Sequence, residues 1–155
     1  MSIADKRRAF RALHQSGCFV IPNPWNAGSA RYMQGLGFKA LATTSSGYAH
    51  SIGYADGDVT RDMMLAHYRE IAQATDIPLN ADFEGGYAVD PEHVSANVKR
   101  AAATGIAGLS IEDSTATWLI HCSRSSSPWN GCARRERRST KPGPASCSPA
   151  ARRAS

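Results

Sequence analysis

The sequence predicts an α/β fold in which a parallel sheet is built from about four strand and helix units. Short apolar runs begin near positions 18, 39, 77 and 106, and a segment with helical character lies between each run and the next. Gly, Pro, Asn and Asp mark most of the junctions between these segments. Because strands that alternate with helices pair in parallel, these observations together indicate one sheet covered by helices.

The first strand lies between two predicted helices. An amphipathic segment opens the chain and predicts a short helix that ends at Gly17. The apolar run over residues 18–21 is cut off by Pro22, which is typical of a buried strand. A helix is predicted over residues 27–36, where Gly37 stops it.

The second strand is predicted over residues 39–43, and a long polar, Gly-rich loop follows it over residues 44–59. Thr60 is the expected N-cap of a helix over residues 61–75, whose apolar positions recur at spacings of three and four. We expect His67 on this helix, and His93 on the next one, to be solvated.

The third strand is predicted over residues 77–81. Asp90 followed by Pro91 is an N-cap with proline in the first turn, and it opens a helix that Gly105 closes. Residues 106–111 form the fourth predicted strand.

The positive charge of the chain is confined to its tail, residues 116–155. Residues 1–115 hold ten basic and twelve acidic side chains, a net charge of −2, whereas the tail holds eight basic and one acidic, a net charge of +7. The tail contains eight Ser, seven Arg and four Pro, and it has too few apolar side chains to offset the entropy of ordering. It predicts a disordered, low-complexity basic segment.

A second interpretation of the tail is a change of reading frame near Thr115 to Thr117. In a frame shifted by one base, the tail permits a peptide with an amphipathic helix followed by a strand-like run, which would continue the alternation of strands and helices. The permitted peptide is not unique, although Cys122 requires a leucine and Asn130 a glutamate. We favour the frame change over a basic tail that was selected as such.

Several classes of protein are disfavoured by composition. No apolar run approaches the roughly 18 residues that span a bilayer, and the first 16 residues lack the apolar stretch of a signal peptide. The spacings between Cys122, Cys132 and Cys147 match neither a zinc site nor a disulfide framework. We therefore expect a cytoplasmic protein that makes no membrane contact.

Polar side chains cluster directly after each predicted strand, where βα folds carry their chemistry because the loops converge on one face. The clusters comprise Asn23 and Asn26 after the first strand, Thr43 to Ser46 after the second, Asn80, Asp82 and Glu84 after the third, and Glu112 and Asp113 after the fourth.

Motifs at these strand ends carry a resemblance to a known family. In chain order they are Pro22-Asn23-Pro24-Trp25-Asn26-Ala27-Gly28-Ser29-Ala30, Leu41-Ala42-Thr43-Thr44-Ser45-Ser46-Gly47, Ala55-Asp56, Asn80-Ala81-Asp82-Phe83-Glu84-Gly85-Gly86-Tyr87 and Ser110-Ile111-Glu112-Asp113-Ser114. In this order and spacing, over about residues 8–115, the chain resembles the isocitrate lyase/phosphoenolpyruvate mutase superfamily. The resemblance implies a truncated (β/α)8 TIM-type barrel, with residues 1–115 as its N-terminal half.

The resemblance also implies a Mg2+ site, with Mn2+ as the alternative ion. Asp82 and Glu112 occupy positions that hold the metal in the family, largely through water, Asp56 occupies the position of an aspartate that sits behind them, and Asn80 stands where many members have an aspartate. Glu84 is expected to compensate for the negative charge that Asn80 lacks. Mg2+ takes oxygen ligands, so this set is chemically suitable. The alternative role for these carboxylates is as solvated loop charges or helix caps.

The resemblance implies a small carboxylic-acid substrate. Thr44 and Ser45, with Ser46 and Gly47, resemble the segment whose backbone N–H groups and hydroxyl bind the substrate carboxylate or phosphonate. The alternative is an ordinary polar loop. Trp25 is expected either to wall the pocket or to pack beside its two neighbouring prolines. Asp82 and Glu112 are the expected catalytic residues.

Three functions remain open from the sequence. The first is a Mg2+-dependent enzyme that cleaves or rearranges a C–C or P–C bond in small 2-oxo or 2-hydroxy acids. The second is an inactive truncated chain, since the family's mobile catalytic loop cannot be matched after Thr115 and the tail lacks later strands. The third, nucleic-acid binding through tail arginines, is disfavoured because stacking aromatic residues are missing. Intact family members are expected to be homo-oligomers, and we expect this chain to aggregate or self-associate.

Overall fold

The structure is a computed structural model, and it describes residues 1–113 of the chain. Both interpretations of the tail, disorder and a frame change, concern residues that lie outside this described part. Residues 1–113 form five helices and three strands. In chain order they are α1 (Ile3–Leu13), α2 (Ala27–Gly35), β1 (Leu41–Ala42), α3 (Ser45–Ser51), α4 (Arg61–Ala74), β2 (Leu79–Asp82), α5 (Pro91–Ala102) and β3 (Gly108–Ser110).

The three strands form one parallel sheet in the order β1, β2, β3, which confirms the predicted α/β class. Leu41 pairs with Leu79 between β1 and β2, and Asp82 pairs with Ser110 between β2 and β3. Because successive side chains of a strand point to opposite faces, Leu79 and Ala81 share one face of β2, and Asn80 and Asp82 share the other.

The apolar face of the sheet packs against helices, and this contact forms the core. Leu79, Ala81 and Phe83 are buried on the sheet side. On the helix side, α4 contributes apolar residues at spacings of three and four, which places them on one face of the helix. The buried residues of α4 are Met64, Leu65, His67, Tyr68, Ile71 and Ala72.

Helix starts follow the predicted capping residues. The Thr60 side chain accepts a hydrogen bond from the Met63 N–H at the start of α4. Asp90 accepts from the N–H groups of Glu92 and His93 at the start of α5, where proline occupies the first turn. Both predicted N-caps are therefore confirmed, and each provides an acceptor for N–H groups that the helix itself leaves unpaired.

The predicted first strand is wrong in the described part of the chain. Residues 18–21 are extended without forming a strand, and Val20 is 67% exposed. The segment bonds to the sheet through the Pro22 carbonyl, which accepts from the Ala42 N–H. Pro22 and Pro24 have no N–H to donate, so the ladder does not extend along this edge.

The loop predicted over residues 44–59 contains a short helix, α3. Thr44 caps it through a hydrogen bond from the Gly47 N–H, 3.1 Å long. Periodicity gives no sign of this helix, because its seven residues are mostly small or polar.

His67 is buried, with 1% of its surface exposed, so its predicted solvation is wrong. Its ring stacks on Tyr48, with 3.8 Å between the ring centroids. Desolvation by this burial lowers the pKa of His67 to about 4. His93 is exposed, as predicted.

Helix α1 is anchored by basic side chains to the ends of two later helices. The Lys6 ammonium donates to the Ala72 and Thr75 carbonyls at the C-terminus of α4. Arg7 donates to the carbonyls of Ala102, at the end of α5, and Ile106. These carbonyls lack partners inside their helices, so the cations satisfy acceptors that would otherwise need water.

In the part of the chain that the structure describes, no helix has the length and apolar content needed to cross a membrane.

Candidate functional site

The carboxyl end of β2 presents Asp82 to the short helix α3. Oδ2 of Asp82 accepts two hydrogen bonds from Ser45, one from its N–H and one from its hydroxyl, each 2.9 Å long. The Asp82 N–H donates to Thr43 Oγ1 at 2.9 Å, and the buried Tyr68 hydroxyl donates to the Asp82 carbonyl. Both the backbone and the carboxylate of Asp82 are therefore held in place.

Asn80 lies on the same face of β2 as Asp82, two residues earlier in the strand. Its Nδ2 donates to Ser110 Oγ at 3.2 Å, and the Ser110 hydroxyl donates to the Ala81 carbonyl at 3.2 Å. The Asn80 side chain therefore bridges two neighbouring strands on the polar face of the sheet.

Glu84 sits in a tight turn just beyond β2. Its φ is +46° and that of Tyr87 is +56°, so two residues other than glycine adopt the left-handed conformation within four positions. Oε1 of Glu84 accepts from the Tyr87 hydroxyl at 2.9 Å, and the Glu84 carbonyl accepts from the Glu112 N–H at 2.8 Å. The turn therefore connects the acidic residue after β2 to the one after β3.

The four predicted carboxylates act on one another electrostatically. Burial raises the pKa of Glu84, and the negative charges of Asp82, Asp56 and Glu112 raise it further, against the lowering effect of its Tyr87 hydrogen bond. Within residues 1–113 no ion pair joins any of these four carboxylates to a basic side chain. The site is therefore a region of negative charge at the carboxyl ends of the strands.

The donor set fits a hydrated cation. Within the described residues, no three His, Cys, Asp or Glu side chains are grouped closely enough to hold a metal ion by themselves. Mg2+ usually keeps several waters and contacts only one or two protein carboxylates. The oxygen atoms of Asp82, Glu84 and Glu112, with the amide of Asn80, therefore suit Mg2+ or Mn2+ held partly through water.

The predicted substrate-binding segment forms the start of α3, next to Asp82. Thr44 and Gly47 make the helix cap, and a Cβ on Gly47 would lie 2.6 Å from Thr44 Cγ2, so this position has space only for glycine. Ser45 uses both of its donors on Asp82. Ser46 follows it in the first turn, half-buried. The segment is thus beside the carboxylates, and its contact with substrate stays a prediction.

Trp25 precedes α2 and is 45% exposed. The backbone N–H of Trp25 donates to Ser29 Oγ at 3.2 Å, within the turn that leads into that helix. A role in walling the pocket also stays a prediction.

Two residues that support the site were not predicted from the sequence. Asn97, on α5, donates from Nδ2 to the Gly86 carbonyl at 2.9 Å, and its Oδ1 accepts from Arg61 at 2.9 Å. Both residues lie on predicted helices, outside the strand-end motifs. The signal was weak: Asn97 is a helix-disfavouring residue inside an otherwise regular helical pattern.

Comparisons with known proteins agree with this geometry. A family model described as phosphoenolpyruvate phosphomutase matches residues 10–134. The 2-methylisocitrate lyase of Escherichia coli (strain K12) is 34% identical over 116 residues, which are 73% of this chain and 39% of the lyase. The matches do not favour a nucleic-acid-binding function.

Solved structures show the same relationship. The chain superposes on a protein of Burkholderia cenocepacia J2315, provisionally described as a lyase/mutase, with a TM-score of 0.76 and 44% identity, covering 78% of this chain and 44% of that one. Phosphonopyruvate hydrolase, solved with oxalate and Mg2+, shares the fold with a TM-score of 0.72 at 24% identity, over 80% of this chain and 44% of that one.

The extent of these matches sets how far they apply. This chain covers 39% to 43% of the length of the curated relatives it matches. The family model nevertheless matches most of the chain, and its match includes all three strands and the four carboxylates. The chain therefore belongs to the isocitrate lyase/phosphoenolpyruvate mutase superfamily.

Proposed function

We propose that this site binds Mg2+ together with a small 2-oxo or 2-hydroxy acid, in support of C–C or P–C bond cleavage or rearrangement. The observation that carries the proposal is an acidic region without basic partners: Asp56, Asp82 and Glu112 raise the pKa of Glu84, and among residues 1–113 none of the four forms an ion pair with a basic side chain. Like charges placed together raise one another's energy, so a divalent cation would be bound there with a favourable electrostatic free energy.

Each residue has a definite proposed task. Asp82 and Glu112 touch the cation or the reacting acid, and Asp56, Asn80 and Glu84 complete the oxygen donors around it. The chemistry that bound Mg2+ supplies is stabilisation of negative charge on two adjacent oxygens of a 2-oxo product. Ser45 fixes the Asp82 carboxylate through two hydrogen bonds, so this donor needs little reorganisation when the cation arrives.

The substrate class follows from the family and from the position of the segment Thr44 to Gly47 beside Asp82. An acid with two neighbouring oxygens can share the cation with the protein while its carboxylate contacts this segment. The related hydrolase holds oxalate, a compact dicarboxylate of this kind.

We also propose that the three-stranded sheet is part of a (β/α)8 barrel in the complete family fold. The parallel order β1, β2, β3 and the position of Asp82, Glu84 and Glu112 at or just after the carboxyl ends of β2 and β3 support it. In such barrels the site lies at the carboxyl ends of the strands.

Titration of the full chain with Mn2+, followed by electron paramagnetic resonance with and without oxalate, tests the proposal. We expect binding in the micromolar to millimolar range, tightened by oxalate, and its loss in Asp82→Asn. Asp58→Asn is the matched control, because Asp58 is an exposed carboxylate near Asp56. No Mn2+ binding at 10 mM, roughly the weak limit for a functional site of this type, would refute the proposal.

Turnover requires a second measurement, because the region after β3 carries the family's catalytic loop. We expect release of a 2-oxo acid from 2-hydroxy dicarboxylic acids only in a version whose reading frame is restored after Thr115. The 155-residue chain itself is expected to bind without turning substrate over. Turnover by the 155-residue chain at the same rate as the restored version would contradict the frame change.

A further inference from the structure

The turn beyond β2 adopts a conformation that its own residues disfavour. Glu84 and Tyr87 both have positive φ, a region that side chains with a Cβ rarely occupy. Gly86 also has a positive φ, at no steric cost, and its N–H donates to the Phe83 carbonyl at 2.9 Å. Such backbone persists only where surrounding contacts hold it.

One side chain from outside the turn, Asn97 of α5, contributes to these contacts. Its Nδ2 donates to the Gly86 carbonyl at 2.9 Å and lies 3.4 Å from the Tyr87 carbonyl oxygen. Asn97 is 5% exposed, so water does not compete freely for these bonds.

Arg61, the first residue of α4, orients this amide. Its Nη1 donates to Asn97 Oδ1 at 2.9 Å. A guanidinium has only donors, so it requires the oxygen of the amide to face it and the NH2 group to face the turn. Arg61 is in turn paired with Asp62 through Nε at 2.9 Å.

The turn positions two acidic residues at once. The Glu84 side chain leaves from it directly, held by the Tyr87 hydroxyl at 2.9 Å. The Glu84 carbonyl also accepts the Glu112 N–H at 2.8 Å, so the turn sets the backbone from which Glu112 extends.

We propose that Asn97, oriented by Arg61, is a positioning residue of the acidic site: it holds the left-handed turn from Glu84 to Tyr87 and thereby places both Glu84 and Glu112. The effect on cation affinity rests on the proposed function, whereas the clamp on the turn does not. Asn97 does not touch the cation. Its removal is expected to act only through the two acidic residues.

The test compares Asn97→Asp with Ser95→Asp in the full chain. Asn97→Asp keeps an acceptor for Arg61 and replaces the donor to the turn with a second acceptor, which repels the Gly86 carbonyl. Ser95 is exposed on the same helix, so Ser95→Asp adds the same charge without touching the turn. Added negative charge alone would tighten cation binding, so a weaker affinity in Asn97→Asp identifies lost positioning.

We expect amide hydrogen exchange at Gly86 and Glu112 to accelerate about tenfold in Asn97→Asp. Mn2+ affinity is expected to fall about tenfold in the same variant, as for other supporting residues of metal sites. Ser95→Asp should leave both quantities within about twofold. Unchanged exchange at Gly86 and Glu112 in Asn97→Asp would overturn the clamp, and unchanged Mn2+ affinity would overturn its positioning role.

Two further outcomes keep the inference decidable. If the wild-type chain binds no Mn2+, the proposed function fails, and amide exchange alone decides whether Asn97 holds the turn. If Asn97→Asp does not fold, Arg61→Met replaces it, because that variant leaves Asn97 in place and removes its orienting donor, together with the ion pair to Asp62. Arg61→Met is expected to accelerate exchange at Gly86 and Glu112, and unchanged rates there would overturn the inference.

Discussion

Asp82 and His67 are polar side chains that the fold surrounds in opposite ways. The Asp82 carboxylate accepts two hydrogen bonds from Ser45, which hold it in place. Both ring nitrogens of His67 are buried without a hydrogen-bond partner in the described part of the chain. The hydrogen bonds from Ser45 fix the Asp82 carboxylate at the site. Burial without partners makes protonation of the His67 ring energetically unfavourable.

His67 is expected to make stability depend on pH. Its pKa falls from 6.5 to about 4 on folding, so between these values the unfolded chain takes up a proton that the folded chain does not. Stability therefore decreases as pH falls through this window, by about 3 kcal/mol in total. His67→Phe keeps the stacking on Tyr48 and removes the titration. Urea unfolding at pH 7 and pH 4.5 should show a larger loss in the wild type than in His67→Phe, and equal losses would disprove this origin.

Asn80→Asp is expected to move stability in opposite directions with and without metal. The new carboxylate adds repulsion near Asp82 and Glu84, so the thermal midpoint in EDTA should fall by a few degrees. In Mg2+ the same charge strengthens binding to the folded state, and the midpoint should rise above that of the wild type. Differential scanning fluorimetry in both buffers checks this. A fall in both buffers would place position 80 outside the metal's surroundings.

At the scale of elements, features that depend on neighbouring residues could be predicted from the sequence. Features that depend on tertiary contacts could not. Thr60 and Asp90 predict helix starts because an N-cap is a local contact within about three residues. Helix α3 has no apolar periodicity that would predict it. It is held by its cap, Thr44, and by the bond from Ser45 to Asp82, 37 positions after Ser45. Residues 18–21 have the composition of a strand, yet the neighbouring prolines limit their pairing.

The residues of the candidate site also fall into two groups, those that the sequence predicts and those that depend on tertiary contacts. Asp82, Glu84 and Glu112 follow strands directly, so topology alone predicts that they lie at one edge of the sheet. Asn97 and Arg61 reach the site from two helices, and their contact depends on how α4 and α5 pack. That packing is a property of the folded structure, so the two residues become recognisable only there.

The cap of α3 leads to a prediction about Gly47 and Thr44. Gly47→Ala would normally favour a helix, but its Cβ would lie 2.6 Å from Thr44 Cγ2 and displace the cap. We expect Gly47→Ala to lower the free energy of unfolding by about 1 to 2 kcal/mol. Thr44→Ser removes Cγ2 and keeps the hydroxyl, so the double variant should recover most of this loss. Urea unfolding of all four proteins gives the coupling energy, and simple additivity would exclude the steric explanation.

At the scale of the whole molecule, the sheet in the described part of the chain leaves apolar groups at its edges. Val20, beside β1, is 67% exposed, and Ile111, just after β3, is 45% exposed. Within residues 1–113, β3 pairs on one side only, with β2. Unpaired strand edges with exposed apolar side chains favour pairing with another chain.

We therefore expect the 155-residue chain to self-associate. Sedimentation velocity at about 50 μM, within the range where exposed edges commonly lead to association, should show species larger than the 16.6 kDa monomer. Val20→Lys combined with Ile111→Lys should shift the distribution towards the monomer, because charges on an edge oppose pairing. A wild-type chain that sediments only as a monomer would contradict this expectation.

The anchoring of α1 determines when this helix can dock during synthesis of the chain. Lys6 and Arg7 bind carbonyls that lie 66 to 99 positions further along the chain. At ribosomal rates, roughly 5 to 20 seconds separate the synthesis of this helix from that of its last acceptor, the Ile106 carbonyl. For about the first two thirds of that interval neither docking point has been synthesised, and the Arg7 acceptors are complete only at its end. Helix α1 therefore completes its contacts only after both α4 and α5 have been synthesised.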